Sequence, residues 1–260
     1  MSDTSHLLDG IRGLLLDVDG TLLSGDRPID GAVEAVRTLR ERGLHCRMIT
    51  NTTRRSRNEQ ARVLNDRGFE VDVREVLMPA ALARRVILDS GLTRAALLVP
   101  TEALADFEGI TPDESEPDFV VLADQGDDFD WQRLNSGFRC LMNGARLLAL
   151  QRNPYWYSNE RGLVLDAGAL VAALEYAAGV EAEVVGKPSP RFFELAIDDI
   201  GLPPEQILVV GDDLTNDVAG GHAAGCRTAL VRTGNFRDEQ LPANAPANPD
   251  AILDSIADLP

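Results

Sequence analysis

Lysine is almost missing from this chain of 260 residues. Together Lys and Arg number 25, but the only lysine is Lys187, and 42 Asp and Glu residues bring the formal net charge to −17. A protein that binds nucleic acid needs a basic stripe to displace counterions from phosphates, and docking on an anionic membrane also needs basic residues. The charge therefore argues against both kinds of partner.

Cysteines and long apolar runs are scarce as well. Cys46, Cys140 and Cys226 lie far apart and form no CxxC pair, so we expect small buried thiols in a reducing compartment. No apolar run approaches the ~18 residues of a membrane helix. Residues 1–10 are polar and acidic and lack the pattern of an export signal. These absences predict a cytoplasmic protein.

Short apolar runs alternate with helical patterns, which predicts an α/β fold with a Rossmann-like, doubly wound parallel sheet. The first predicted strands are residues 11–16 and 44–49, separated by a helix that Asp30 would cap. A second helix begins at Ser56. The later predicted elements are a helix opened by Ser189-Pro190 and stopped by Gly201, and strands at residues 207–210 and 229–231, of which the second would be the last strand.

The segment between Asn51 and Lys187 is much longer than one crossover of a parallel sheet, which needs ~30 residues. It carries its own strand patterns at residues 95–99, 119–122 and 147–150, and a helical pattern at residues 167–178. We therefore predict that residues 1–78 and 181–260 form a core domain. A second, smaller α/β domain would be inserted at residues 79–180.

Reactive side chains follow four of the predicted strands, at the edge where ligands bind in open α/β sheets. Converging carboxylates there would repel one another unless a hard divalent cation bound between them, and Mg²⁺ is the first candidate for that cation. Hydroxyl, amide and ammonium groups would suit phosphate oxygens. The four strand ends are Asp17-Val18-Asp19-Gly20-Thr21, Thr50-Asn51, Gly186-Lys187, and Gly211-Asp212-Asp213 followed by Asp217. In combination they predict a phosphoryl-transfer site.

Each of these motifs alone has a plainer interpretation as a turn or a helix cap. Lys187 is the most informative residue, because the chain uses arginine at every other basic position. A compact ammonium fits between a phosphate and a carboxylate where a planar guanidinium has the wrong size. The prediction therefore depends on the conjunction of the motifs in this order.

The segments DVDGTL, ITNTT, GKPSP and GDDLTNDV resemble the four motifs of the haloacid dehalogenase (HAD) superfamily. The long insertion resembles the C2-type α/β cap of its NagD-like subclass, and the resemblance extends over nearly the whole chain. It implies a Mg²⁺-dependent phosphatase that acts on a small phosphorylated substrate through an aspartyl-phosphate. Relatives with this cap often dimerise, so the resemblance also implies a homodimer as one expected assembly.

The resemblance assigns Asp17 as the nucleophile and a Mg²⁺ ligand, and Asp212 as a further ligand. Asp19 would protonate the leaving group and then activate water, and its backbone carbonyl would bind the metal. Close relatives in the subclass commonly carry serine at the position of Asp19. A carboxylic acid there suits phosphomonoesters with poor leaving groups, whereas pyrophosphate and P–N bonds need less help from an acid.

The remaining roles concern the phosphate and its countercharge. By resemblance, Thr50 and Asn51 would hold the phosphate, and Lys187 would balance the charge of the phosphoryl group and the nucleophile. Either Asp213 or Asp217 would orient Lys187 or a metal-bound water, and Asp217 is preferred.

Two candidate specificity residues lie in the insertion. Arg152 precedes the aromatic run Tyr155-Trp156-Tyr157, which could contact a leaving group or another subunit, or could simply be a packed loop. Asp166 precedes a helical pattern and could face the active site or serve only as a helix cap.

Two other classes of protein share parts of this pattern. A receiver-like phospho-acceptor signalling module also combines acidic strand ends, Mg²⁺ and a lysine. Such modules are shorter than this chain and lack a carboxylate two residues after the acceptor, which Asp19 supplies here. A non-catalytic protein that binds metal and phosphate would not turn over p-nitrophenyl phosphate.

Overall fold

The structure is a computed structural model that describes residues 6–126, 129–158, 161–236 and 248–259. No helix of these residues has the length and apolar character needed to cross a membrane. The chain divides into two compact units. Unit 1 comprises Met1–Thr50, Gln60–Leu77 and Lys187–Pro260, and unit 2 comprises Asn51–Glu59 and Met78–Gly186.

Strands and helices alternate along most of the described chain. In chain order, the strands are β1 (Gly13–Asp17), β2 (Leu23–Ser24), β3 (Arg27–Pro28), β4 (His45–Ile49), β5 (Val76–Leu77), β6 (Arg94–Leu98), β7 (Thr111–Pro112), β8 (Phe119–Leu122), β9 (Arg146–Ala149), β10 (Tyr155–Ser158), β11 (Gly162–Leu165), β12 (Glu183–Val184), β13 (Ile207–Gly211), β14 (Arg227–Val231) and β15 (Ala251–Leu253). The α-helices are α1 (Ala32–Glu41), α2 (Arg57–Asn65), α3 (Pro79–Asp89), α4 (Trp131–Met142), α5 (Ala167–Ala178), α6 (Pro190–Ile200) and α7 (Gly220–Ala223).

Unit 1 is built on a six-stranded parallel sheet in the order β15-β14-β13-β1-β4-β5. All five residues of β1 are buried, as expected for a strand that is covered on both faces. From β1 the chain continues to β4 on one side, whereas from β13 it continues to β14 on the other side. The carboxyl ends of β1 and β13 therefore flank the point where the strand order reverses, which is where such sheets bind ligands.

Local signals predicted helix α6 correctly. The Ser189 side chain accepts a hydrogen bond from the backbone N–H of Arg191, Pro190 is the first helical residue, and Gly201 ends the helix at φ 70°. The sequence predicted this start and this stop, because a serine cap, an early proline and a left-handed glycine each act within one turn of the chain.

Two predictions in unit 1 are wrong. Helix α1 begins after Gly31, which has φ 78° and no side-chain cap, so Asp30 is one residue too early to cap it. The strand β14 is not the last one, because β15 pairs with it in parallel. With only three residues, β15 has too short an apolar pattern to stand out in the sequence.

Unit 2 contains a five-stranded parallel sheet in the order β12-β9-β8-β6-β7, and an antiparallel hairpin of β10 and β11. Its apolar core includes Leu98, Val120, Leu147 and Val171. The strand order reverses between β6 and β8, since the chain leaves β6 towards β7 and leaves β8 towards β9. Both units are α/β structures with parallel sheets, which confirms the predicted fold class.

Candidate active site

A buried lysine joins two buried carboxylates at the centre of unit 1. Asp17 is the last residue of β1, and its Oδ1 lies 2.6 Å from the Nζ of Lys187. The same Nζ lies 2.6 Å from Oδ1 of Asp217. Lys187 is only 3% exposed. Asp17 and Lys187 therefore belong to one buried ion cluster, although they are 170 positions apart in the chain.

Three carboxylates crowd around one lysine in this cluster, among the residues that the structure describes. Carboxylate oxygens of Asp17, Asp212 and Asp217 lie within 4.8 Å of one another, and Lys187 is the cation that contacts two of them. One positive charge against three carboxylates leaves the cluster acidic. A divalent cation held by carboxylate oxygens would offset that excess, so the donor set fits Mg²⁺.

Burial and charge repulsion shift the acid–base properties of these groups. Burial raises the pKa of Asp17, and Asp217, Asp212 and Asp19 raise it further, while Lys187 acts in the opposite direction. Burial and the neighbouring Asp217 raise the pKa of Asp212 to about 6. These are the shifts expected where carboxylates crowd in a low-dielectric site.

The Lys187 ammonium stays charged despite its burial. Burial alone lowers the pKa of a lysine, but Asp17 and Asp217 outweigh it and raise the pKa of Lys187 above its ordinary value. Lys187 therefore acts as a fixed positive charge beside Asp17.

Asp19 lies apart from the buried carboxylates. Its side chain is exposed, and its Oδ2 accepts a hydrogen bond of 3.2 Å from the hydroxyl of Thr50, a residue that is 1% exposed. The structure thus brings Asp19 and Thr50 together, with the Asp19 side chain open to solvent. A carboxyl in that position can exchange a proton with solvent or with a ligand.

Of the two aspartates that the sequence left as alternatives, Asp217 contacts Lys187. Asp213 instead caps the helical turn Leu214–Ala219, where its Oδ1 accepts hydrogen bonds of 2.8 Å from the backbone N–H groups of Thr215 and Asn216. The N–H of Asp213 also donates to Oδ2 of Asp217 at 3.2 Å. Asp213 therefore helps to hold Asp217, which in turn binds Lys187.

Asp212 is held by residues that the sequence motifs did not reveal. Its Oδ2 accepts a hydrogen bond of 2.5 Å from the N–H of Asn235, and a Cβ at either Gly20 or Gly234 would overlap its carboxylate. The hydroxyl of Thr233 donates to the carbonyl of Gly20 at 2.6 Å. The only hint in the sequence is the short polar segment, with a glycine, that follows β14.

Thr21 also contacts Asp17, although the sequence analysis gave this residue of the first strand end no role of its own. Its hydroxyl donates to Oδ2 of Asp17 at 3.3 Å, and the residue is fully buried. Together with the Lys187 contact to Oδ1, this hydrogen bond engages both oxygens of Asp17. Thr21 belongs to the DxDGT motif, so the motif could have revealed it.

Asn51 directly follows Thr50 but packs within unit 2. A Cβ at Gly186 would lie 2.9 Å from Oδ1 of Asn51 and 3.1 Å from Cβ of Gln151, and it would overlap the carbonyl oxygen of Leu150. Glycine is therefore needed at the residue that immediately precedes Lys187.

The structure gives Arg152 and Asp166 structural partners. Both terminal nitrogens of Arg152 bind the carboxylate of Glu175, at 3.1 and 2.6 Å. Asp166 caps α5 by accepting a hydrogen bond of 2.7 Å from the N–H of Ala167, and it also accepts one from Gln151. Within the aromatic run, Tyr155 is 59% exposed, and the side chains of residues 156–158 lie outside the described part.

Comparison with known sequences identifies the family. Residues 14–108 match the sequence profile of haloacid dehalogenase-like hydrolases, and residues 184–259 match a second, HAD-hydrolase-like profile. The phospholysine phosphohistidine inorganic pyrophosphate phosphatase of Rattus norvegicus is 40% identical over 266 residues, which cover 99% of this chain and 96% of the relative.

Solved structures agree with this relationship. The 4-nitrophenylphosphatase of Thermotoga maritima has a TM-score of 0.90 at 31% identity, with 98% of each chain covered. The glycerol phosphate phosphatase of Mycobacterium tuberculosis in complex with magnesium has a TM-score of 0.84 at 31% identity, covering 97% of this chain and 77% of the other. This chain therefore belongs to the haloacid dehalogenase-like hydrolase family and is one of its phosphatases.

Proposed function

We propose that this phosphatase depends on Mg²⁺ and hydrolyses a small phosphomonoester through a phosphorylated Asp17. The observation that carries the proposal is the buried Asp17–Lys187–Asp217 cluster beside Asp212, at the point where the strand order of unit 1 reverses. In this proposal unit 1 is the catalytic core and unit 2 is the cap.

The residues that would hold the metal are Asp17 and Asp212 through their carboxylates and Asp19 through its backbone carbonyl. Their fit to a cation is supported by the three crowded carboxylates, which a single lysine does not neutralise. When bound, the cation supplies charge stabilisation to the phosphoryl oxygens. The magnesium complex of the M. tuberculosis relative supports the same choice of ion.

Asp17 is oriented for attack on phosphorus. Lys187 binds its Oδ1 and Thr21 binds its Oδ2, so the side chain is fixed before a substrate arrives. In the first step an oxygen of Asp17 forms a bond to phosphorus while the bond from phosphorus to the leaving-group oxygen breaks. The permanent charge of Lys187 offsets the negative charge of the phosphoryl group, and Thr50 and Asn51 donate hydrogen bonds to its oxygens.

Asp19 moves the protons. It gives a proton to the leaving-group oxygen in the first step and takes one from water in the second, when that water attacks phosphorus and releases Asp17. Its exposure and its hydrogen bond from Thr50 support this assignment. A carboxylic acid at this position favours phosphomonoesters, whose alkoxide leaving groups need protonation.

The names of the relatives mark the alternatives for the substrate. The rat protein is named for phospholysine, phosphohistidine and pyrophosphate, and the bacterial structures are named for 4-nitrophenyl phosphate and glycerol phosphate. We favour a phosphomonoester because of Asp19. Pyrophosphate and phosphoramidates are the alternatives that a substrate panel must include.

The test is phosphate release by wild-type protein and by Asp17→Asn, with Mg²⁺ and after chelation. We expect Asp17→Asn to lose about 10⁴-fold or more in kcat, as expected for a missing nucleophile. Asp66→Asn, which changes an exposed aspartate of unit 1, is the matched control and should keep the wild-type rate. Chelation should abolish turnover, and added Mg²⁺ should restore it.

Two results would contradict the proposal. If the wild type releases no phosphate from phosphomonoesters, pyrophosphate or phosphoramidates, the protein is not a phosphatase of this kind. If acetyl phosphate leaves a phospho-aspartate that persists for many minutes, a receiver-like module is the better description.

A further inference from the structure

A short segment of unit 1 contacts two parts of the proposed metal site without supplying a carboxylate. It comprises residues 232–236, Arg-Thr-Gly-Asn-Phe, directly after β14, and we call it the brace. Its central residues contact Gly20, which follows Asp19, and Asp212, which follows β13. The brace belongs to none of the motifs that predicted the site, and the chemistry proposed above gives it no role.

Both ends of the brace are attached to the rest of unit 1. The N–H of Arg232 donates to the carbonyl of Leu253 at 3.1 Å, which continues the pairing of β14 with β15. At the other end, Phe236 is 3% exposed and packs with Val218 and Leu230 in an apolar cluster. A segment that is held at both ends presents its central residues in a fixed arrangement.

The centre of the brace lies against the carboxylate of Asp212. The N–H of Asn235 donates to Oδ2 of Asp212 at 2.5 Å, and a Cβ on Gly234 would overlap the same oxygen. Hydrogen bonds to a charged acceptor are among the stronger ones. The brace therefore fixes the direction in which the Asp212 carboxylate points.

Thr233 holds the backbone on the other side of the site. Its hydroxyl donates to the carbonyl of Gly20 at 2.6 Å, and the N–H of Gly20 donates to the carbonyl of Leu23 at 2.7 Å. Gly20 has φ 92°, and a glycine can adopt many other backbone conformations. These two hydrogen bonds select one of them, and Thr233 supplies the bond that joins Gly20 to the brace.

The position of Gly20 affects both of its neighbours in the chain. Asp19, directly before it, would bind Mg²⁺ through its backbone carbonyl. Thr21, directly after it, donates to Oδ2 of Asp17 at 3.3 Å. A shift of Gly20 would therefore displace a proposed metal ligand and a hydrogen bond to the nucleophile. Because the brace also holds Asp212, it sets the spacing between two proposed ligands that lie far apart in the chain.

Mg²⁺ tolerates little departure from octahedral geometry, and groups that orient the ligands of a metal typically contribute about 10–100-fold to its affinity. We propose that Thr233 is a positioning residue for Mg²⁺, whose hydroxyl holds the Gly20 backbone so that Asp19 and Asp212 keep the spacing that the ion requires. The inference rests on the proposed function, which names these ligands, and adds a residue that controls metal affinity. Thr233, Gly20, Asp19 and Asp212 all belong to unit 1.

The test measures Mg²⁺ binding by titration calorimetry of the substrate-free protein, together with phosphate release at increasing Mg²⁺. Thr233→Val replaces the hydroxyl by a methyl group of similar size. We expect it to raise the Kd for Mg²⁺ about tenfold, while kcat at saturating Mg²⁺ falls much less, because the bound cation itself draws the ligands together. Thr233→Ser keeps the hydroxyl and should bind Mg²⁺ as the wild type does.

Thr228→Val is the matched control, because it makes the same substitution within β14. Thr228 is fully buried, and its hydroxyl has no hydrogen-bond partner among the residues that the structure describes. This variant should keep the wild-type Kd for Mg²⁺ and should be as stable as the wild type or more stable. Thr233→Ala removes the same hydroxyl without adding a methyl group in its place, so it should reproduce the weaker binding of Thr233→Val.

Thermal unfolding without Mg²⁺ separates positioning of the metal from a structural role. If Thr233→Val and Thr233→Ala lower the unfolding temperature but keep the wild-type Kd for Mg²⁺, the inference is overturned. Failure of both variants to fold would show a requirement for folding instead and would also overturn it. So would equal weakening of Mg²⁺ binding in Thr233→Ser, since the hydroxyl would then not be the cause.

The outcomes also distinguish this inference from the proposed function. If the wild type hydrolyses phosphomonoesters and all variants bind Mg²⁺ equally well, the inference alone fails. If Mg²⁺ binding differs among the variants as expected but the wild type releases no phosphate, the proposed function fails and the inference stands. If the wild type binds no Mg²⁺, both fail together.

Discussion

The two units place different side chains at the same kind of sheet edge. In unit 1, β1 ends in Asp17, which lies among further carboxylates and against one lysine. In unit 2, β8 is followed by Asp124, which Arg54 neutralises, and by the unpaired amide of Gln125, as far as the described residues extend. An acidic excess suits a metal ion and phosphoryl transfer, whereas the carboxylate of Asp124 already has a cation as its partner. The topology supplies the location, and the side chains decide the chemistry.

The largest effect should come from removing the charge at the centre of unit 1. Lys187→Met leaves Asp17 and Asp217 buried without their cation, because Lys187 contacts both at 2.6 Å. Breaking a buried ion pair from one side costs about 3–5 kcal/mol. Urea unfolding should show a loss of this size, together with loss of phosphate release.

Lys187→Arg is the sharper form of this experiment. It keeps the positive charge, but a planar guanidinium does not match the compact site, so activity should remain low while part of the stability returns. Full activity of Lys187→Arg would show that charge alone is required and that the size of the cation is irrelevant.

A matched pair of glycine variants compares the two units directly. A Cβ at Gly211 would overlap the carboxylate of Asp217 in unit 1, and a Cβ at Gly168 would overlap the carbonyl oxygens of Arg152 and Asn153 in unit 2. Gly211→Ala should lower kcat for p-nitrophenyl phosphate by about 100-fold, since small displacements of positioning groups have effects of this size. Gly168→Ala should lower the unfolding temperature and leave that kcat near the wild-type value.

Kinetics and thermal unfolding of both glycine variants under the same conditions decide the comparison. Equal losses of kcat in the two variants would contradict the proposal that unit 1 is the catalytic core.

A smaller effect is expected at the Arg54–Asp124 pair. The Arg54 side chain is 45% exposed, so water can solvate its guanidinium when Asp124→Asn removes the partner charge, and the stability loss should be about 1 kcal/mol. Urea unfolding of Asp124→Asn and of the wild type under the same conditions measures this loss. A double-mutant cycle with Arg54→Met should show coupling between the two charges.

The mildest probe uses the cysteines, which are all buried. Burial raises the pKa of the Cys226 thiol to about 12, so at pH 8 its reactive thiolate is about 1000-fold rarer than in an ordinary cysteine. Burial also raises the pKa of Cys140 in unit 2. Alkylation of native protein should therefore be slow at both thiols, and mass spectrometry can show which unit opens first. Rapid labelling of Cys226 at pH 8 would contradict its burial in unit 1.

Much of the fold was predictable because its signals are local. The apolar run of β1 ends in an acidic motif, α6 has its own cap and stop residues, and β8 and α5 coincide with the predicted residues 119–122 and 167–178. The errors occur where a local signal is weak or ambiguous. Asp30 lies one residue before the glycine that starts α1, and β15 is too short to be recognised.

The sequence by itself determined which reactive residues occur at strand ends. The motifs, their order along the chain and the single lysine can all be read from the sequence alone. Only the tertiary structure decided their partners. Asp217 rather than Asp213 reaches Lys187, and Asn235 holds Asp212, because the direction of a side chain depends on packing between distant segments. Gln125 belongs to no motif, and its burial without a hydrogen-bond partner among the described residues is visible only in the structure. Burial and hydrogen bonding are properties of the folded chain, so no pattern of residues along the sequence reveals them.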